Sequence, residues 1–96
     1  MLIIAGYMEM DPSERDAYVA AHADLIQRAR GAEGCLDLAI SADTVAEGRV
    51  NLFERWESQD ALDAWRVVAN GPNVEVEYTG GDIMMYHIDH LSPAFE

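Results

Sequence analysis

The order of elements legible in this 96-residue chain, β-α-β-β-α-β, predicts an α+β fold of the ferredoxin-like kind, a four-stranded antiparallel sheet with two helices on one face. Three observations carry the prediction. A β-branched and aromatic run opens the chain, two strand-like runs lie side by side in its middle, and each of two apolar stripes at helical spacing follows a residue suited to cap a helix.

The first strand is "LIIAGYME". In "DPSE" that follows, Asp11 supplies an N-cap, Pro12 the first helical position and Glu14 the residue three after the cap. Tyr18, His22, Leu25 and Ala29 then recur at i, i+4, i+7 and i+11, with Val19 and Ile26 beside them, and Gly31 is placed to stop the helix. One amphipathic helix of about five turns is expected. "CLDLAISAD" alternates, with Leu36, Leu38 and Ile40 on one face, and "TVAEG" makes a turn. In "RVNLFERWE", Val50, Leu52, Glu54 and Trp56 share one face and Arg49, Asn51, Phe53, Arg55 and Glu57 the other. Both faces carry large apolar side chains, so this strand is expected to be covered on both sides. Ser58 caps a second helix, "QDALDAWRVVA", with Leu62, Trp65, Val68 and Ala69 as its stripe and "NGP" as its end. "DIMMYHIDH" is the fourth strand.

Two helices cover one face of such a sheet and leave the other bare. A bare apolar face is too large for a monomer in water, so a homodimer that pairs sheet to sheet is expected. The length predicts one domain spanning residues 1–96. Eighteen acidic against six basic residues give a net charge of −12, which repels phosphate backbones and anionic lipid; neither nucleic acid nor a membrane surface is an expected partner. The apolar opening run is too short to span a bilayer. Cys35 is the only cysteine, so no internal disulfide can form, and a reducing cytoplasm fits. No GxGxxG, P-loop, HxxxH or cysteine cluster is present, and no metal site is predicted.

"EGCLDL" followed by "RVNLFERWESQDALDAW" resembles the antibiotic biosynthesis monooxygenase domain, a dimeric α+β barrel family; the shared pattern is Gly34-Cys35, Glu54, Trp56 and Ser58 with the helix after it. The resemblance implies oxidation of an aromatic polyketide-like or quinol substrate by O2 with no cofactor, because a deprotonated electron-rich substrate can itself pass an electron to oxygen. The protein then needs a dry, mostly apolar pocket with a few polar groups that stabilise a phenolate or enolate. Many members carry a histidine on the second helix where this chain has Trp65. A tryptophan there also resembles the haem-degrading branch of the superfamily, but that branch adds an asparagine on the first strand and a haem-ligating histidine after the second helix. Here those places hold Tyr7 or its neighbours and "NVEVEY". A metabolite-binding dimer without catalysis is the third reading.

Within this frame His22, on the inner stripe of the first helix, is the candidate general base, because imidazole titrates near neutral pH; a hydrogen-bonded core histidine is the alternative. Asn51 and Arg55 are candidate oxyanion contacts if their strand face looks toward the helices; the alternatives are a solvent-facing Asn51 and a salt-bridged Arg55. Tyr7, Phe53, Trp65, Tyr18 and His87 are candidate substrate contacts, with core packing as the alternative for the aromatic rings. Tyr86 and His87 point to opposite faces of the last strand, so at most one of them enters a given pocket. Trp56 belongs to the pattern that builds the fold.

Overall fold

The computed structural model describes residues 1–95. Its elements are β1 (Leu2–Glu9), α1 (Pro12–Ala21), α2 (Ala23–Arg30), β2 (Cys35–Ala42), β3 (Arg49–Trp56), α3 (Gln59–Val68) and β4 (Gly80–His87). The strands form one antiparallel sheet in the order β2-β3-β1-β4, the ferredoxin-like arrangement expected.

Register decides what each side chain meets. Leu2 lies opposite Trp56 and His87, Ile4 opposite Glu54 and Met85, and Met8 opposite Val50 and Gly81. The two-residue period therefore gathers Leu2, Ile4, Met8, Val50, Leu52, Trp56, Ile83 and Met85 on one face. Helices cover that face, because Leu2, Ile4, Leu38 and Trp56 share a core with Ala29 of α2 and Leu62 and Trp65 of α3. A second cluster joins Met10, Tyr18 and Val50 to Val74 and Val76 from the segment between α3 and β4. The opposite face carries Ile3, Ala5, Tyr7, Asn51, Phe53, Arg55, Met84 and Tyr86, and among the described residues no helix packs over it as a layer.

The caps are those expected. The Asp11 carboxylate accepts from the Ser13 amide at 2.8 Å, with Pro12 opening α1, and Ser58 Oγ accepts from the Ala61 amide at 3.1 Å. Asn70, at φ 44°, turns the chain out of α3.

The single five-turn helix is not observed: it breaks at His22, between α1 and α2. The His22 amide bonds back to the Val19 carbonyl at 3.1 Å, and its ring Nδ1 occupies the Tyr18 carbonyl at 2.7 Å, where the next ladder bond would fall. A side chain thus satisfies the backbone acceptor that the break releases. Leu36 also departs from expectation. A bulge between Cys35 and Asp37 takes it out of the alternation, and it is 41% exposed instead of packing with Leu38 and Ile40.

The Gly-Cys and Glu-x-Trp-x-Ser pattern has a packing explanation. Gly34, at φ 81°, lies where a Cβ would strike the Ala61 side chain of α3, and its carbonyl accepts from the Glu57 amide at 2.8 Å. Glu54 accepts from Trp56 Nε1 at 3.0 Å, Trp56 is fully buried, and Ser58 caps α3. Among the described residues no helix is long and apolar enough to cross a membrane.

Candidate functional site

The sequence-predicted site residues divide between the two sides of the sheet. Tyr18, His22, Trp65 and His87 belong to the helix-facing side, whereas Tyr7, Asn51, Phe53 and Arg55 belong to the open face. A single pocket between sheet and helices that holds both groups is therefore corrected by the structure. The cause is the burial of Val50 and Trp56: once these two fix the inner face of β3, residues 51, 53 and 55 must point outward.

On the open face Asn51 is held in a polar network. Its Oδ1 accepts from Arg49 Nε at 2.7 Å and its Nδ2 donates to Asp43 Oδ1 at 2.9 Å, while the Arg49 guanidinium lies 4.0 Å from the centre of the Tyr7 ring. Asp43 also accepts from the Val45 and Ala46 amides in the β2–β3 turn. Hydrogen bonds from Ala46, Asn51 and Val45, in that order, bring its carboxyl down to about 2. A depressed carboxyl adds stability above its unfolded value of about 3.9, and that contribution is lost as pH falls through the folded value. Asp43→Asn is therefore expected to flatten the acid limb of a stability-against-pH curve between about pH 4 and 2, as followed by thermal melts at stepped pH; an unchanged limb would contradict the assignment. Arg55 Nε is buried and has no hydrogen-bond partner among the described residues.

On the helix-facing side, Trp65 is 8% exposed, stacked on Trp56 with ring centres 6.3 Å apart, and covered by the Arg28 guanidinium at 5.7 Å. This is a core position. His22 is 9% exposed, with its ring 4.3 Å from that of Tyr18. His87 lies beside Leu2 at the end of β4 and is exposed. Burial, then the carboxylates of Glu54 and Asp37, push the Cys35 thiol up, which keeps it protonated and unsuited to nucleophilic attack.

The helices leave β4 largely uncovered, and a cleft of about 550 Å³ opens there, lined by Tyr7, Met8, Tyr78, Thr79, Gly80, Gly81, Asp82 and Ile83. Met8, Gly81 and Ile83 come from the helix-facing side of the sheet. Tyr78 comes from the segment that enters β4, which the Thr79 amide fastens to the Glu9 carbonyl at 2.9 Å. The hydroxyls of Tyr78 and Tyr18 lie 3.0 Å apart, and Tyr18 Oη is 3.6 Å from Met8 Sδ. The expected candidates Tyr18 and, one ring further in, His22 thus stand behind a wall built from Tyr78 and Met8. Neither Met8, Ile83 nor Tyr78 is singled out by the sequence; the one available signal is an aromatic residue just ahead of the Gly80–Gly81 pair that opens β4.

The family model for antibiotic biosynthesis monooxygenase matches residues 1–67. Among solved structures, a candidate antibiotic biosynthesis monooxygenase from Deinococcus radiodurans is similar at a TM-score of 0.70 and 17% identity, over 100% of both chains. PA3566 from Pseudomonas aeruginosa matches at a TM-score of 0.70 and 17% identity, covering 93% of this chain and 94% of that one. The haem degrader MhuD from Mycobacterium tuberculosis, solved with two haems in its active site, matches at 0.68 and 15% identity, over 97% of this chain and 100% of its own. No curated protein matches the chain. With its fold and the greater part of its length accounted for by that model, the chain belongs to the antibiotic biosynthesis monooxygenase family.

Proposed function

We propose that this protein is a cofactor-independent monooxygenase that oxidises an electron-rich aromatic substrate, polyketide-like or a quinol, with O2. The observation that carries the reading is the cleft of about 550 Å³ beside β4, walled by Met8 and Ile83 and bordered by a phenol. Its size falls within the ~300–1,000 Å³ of small-molecule pockets. In such surroundings an anthrone-type enolate passes an electron to O2, and the net change replaces two methylene hydrogens by one oxygen atom while the second leaves as water. His22 is the proposed base; its ring lies behind Tyr18 and outside the cleft lining, so it takes the substrate proton through an intervening water. Its Nδ1 faces the Tyr18 carbonyl, which can only accept, so the neutral ring carries its proton on Nδ1 and its lone pair on Nε2.

The test is chemical. Chelator-treated protein given an anthrone under isotopically heavy O2 is expected to release product that has gained heavy oxygen; oxygen drawn only from water would overturn the reading. His22→Ala is expected to lower turnover by about 10²-fold or more. Equal turnover at every pH would remove His22 from the mechanism.

Haem fits the site poorly. Trp65 is closed against Trp56 and Arg28, and residues 69–79, which follow α3, contain no histidine to ligate iron. Titration is expected to leave the Soret band of free haem unshifted, and a shift would favour haem degradation instead.

The working unit in this proposal is a homodimer, with the open face of Ile3, Ala5, Phe53, Met84 and Tyr86 covered by a second copy. Asn51, Arg55 and Phe53 then serve the interface, where a partner's acceptor can satisfy Arg55 Nε, while Tyr7 also borders the cleft. Light scattering at micromolar concentration is expected to give twice 10.6 kDa, and a mass of 10.6 kDa would contradict the pairing.

A further inference from the structure

We propose that Tyr78 is the polar anchor of the cleft, donating its hydroxyl hydrogen to the substrate oxygen that becomes phenolate or enolate, with Tyr18 as the positioning residue that aims it. The inference rests on the monooxygenase reading and assigns the residue that recognises the substrate.

Tyr18 is buried, and its hydroxyl hydrogen has two acceptors within reach, Tyr78 Oη at 3.0 Å and Met8 Sδ at 3.6 Å. Either phenol can donate across the 3.0 Å contact; with Tyr18 as donor the exposed Tyr78 hydroxyl is free to donate to water or substrate, whereas the reverse leaves Tyr18 only a thioether, so Tyr18 is assigned the donor role. Burial and this hydrogen bond push the Tyr18 phenol up, so it keeps the proton it donates. The Tyr78 oxygen is thereby held as an acceptor and its own hydrogen is released toward solvent. Tyr78 is 53% exposed and lines the cleft. The helix-facing side of the sheet gives the cleft only Met8, Gly81 and Ile83; Tyr7, Thr79 and Asp82 line it too, and the Asp82 carboxylate, an acceptor only, cannot hold a developing anion. A flat ring system laid along Gly81 buries apolar surface and presents its oxygen to Tyr78, and the paired phenols strengthen that donor as negative charge develops. The edge-on packing of Tyr78 against Tyr18, with ring centres 6.2 Å apart, holds the direction.

The probe is 1,8-dihydroxyanthraquinone, flat and coloured, whose visible band reports ionisation of its phenol. It is titrated into wild type, Tyr78→Phe and Tyr18→Phe, and the ionisation midpoint of the bound dye is read from its colour. Wild type is expected to bind the dye and lower its midpoint. Tyr78→Phe is expected to bind about five- to tenfold more weakly, with the midpoint returned toward that of the free dye. Tyr18→Phe, which keeps the Tyr78 hydroxyl but not its aim, is expected to give an intermediate midpoint, a change that packing alone would not produce. Wild type that fails to bind the dye, or a Tyr78→Phe variant with unchanged affinity and midpoint, overturns the anchor. Oxygen consumption distinguishes the two failures. Uptake in wild type that persists unaltered in Tyr78→Phe overturns the anchor and keeps the monooxygenase; dye binding lost in Tyr78→Phe, with no uptake by wild type, keeps the anchor and overturns the monooxygenase.

Discussion

Trp56→Ala is expected to cost the fold about 3–5 kcal/mol, enough to leave a domain of this size largely unfolded. Three losses combine. The indole is fully buried at the centre of the larger core, it stacks on Trp65, and its Nε1 donates to Glu54. Alanine leaves a cavity lined by Leu2, Leu38, Leu62 and Trp65, and a half-buried carboxylate without its donor. Trp56→Phe keeps part of the stack and is expected to lose less. Urea denaturation separates the cases: both midpoints fall with unchanged slope, alanine's much further. A midpoint within experimental error of wild type for Trp56→Ala would refute the core assignment.

Gly6→Ala is expected to be nearly as damaging, at about 2–5 kcal/mol, through a different cause. Gly6 has φ 156°, a conformation that suits glycine, and a Cβ there would run into the Asp82 carbonyl on the neighbouring strand. The obstacle is backbone, so no rotamer change relieves it. β1 and β4 must separate locally, and with them the wall of the cleft, since Gly6 pairs with Ile83. Hydrogen exchange should therefore accelerate first at β4 amides, while those of the β2–β3 pairing stay protected. Uniform acceleration across the sheet would contradict the local mechanism.

These positions also show what the sequence made readable. Alternation in "RVNLFERWE" and capping by Asp11 and Ser58 are short-range rules, and short-range rules place strands and helix starts. The inner face of β3 was not readable, because Phe53 and Trp56 are both large aromatic residues on opposite sides, and the choice between them depends on how the helices pack. Sequence pattern alone therefore lets Asn51 and Arg55 share a pocket with His22, although the sheet lies between them. The break at His22 was hidden as well. A histidine ring that satisfies the Tyr18 carbonyl leaves the apolar stripe intact, so periodicity passes through the break unchanged. Tyr78 was out of reach because its meaning lies in a contact with Tyr18, sixty residues away in sequence.

In the proposed reaction the substrate sits in the cleft beside β4, so filling that cleft should stop the chemistry and spare the fold. Oxygen uptake is measured with an anthrone and protein stripped of metal and haem, comparing wild type with Ile83→Trp, a substitution at a partly exposed β4 position that fills the cleft without entering the core. Uptake above the spontaneous rate in wild type, reduced at least tenfold in a variant of equal melting temperature, is the predicted result, corresponding to about 1.4 kcal/mol or more of lost transition-state stabilisation. No uptake in wild type, or equal uptake in both proteins, would rule out oxygenation in this cleft.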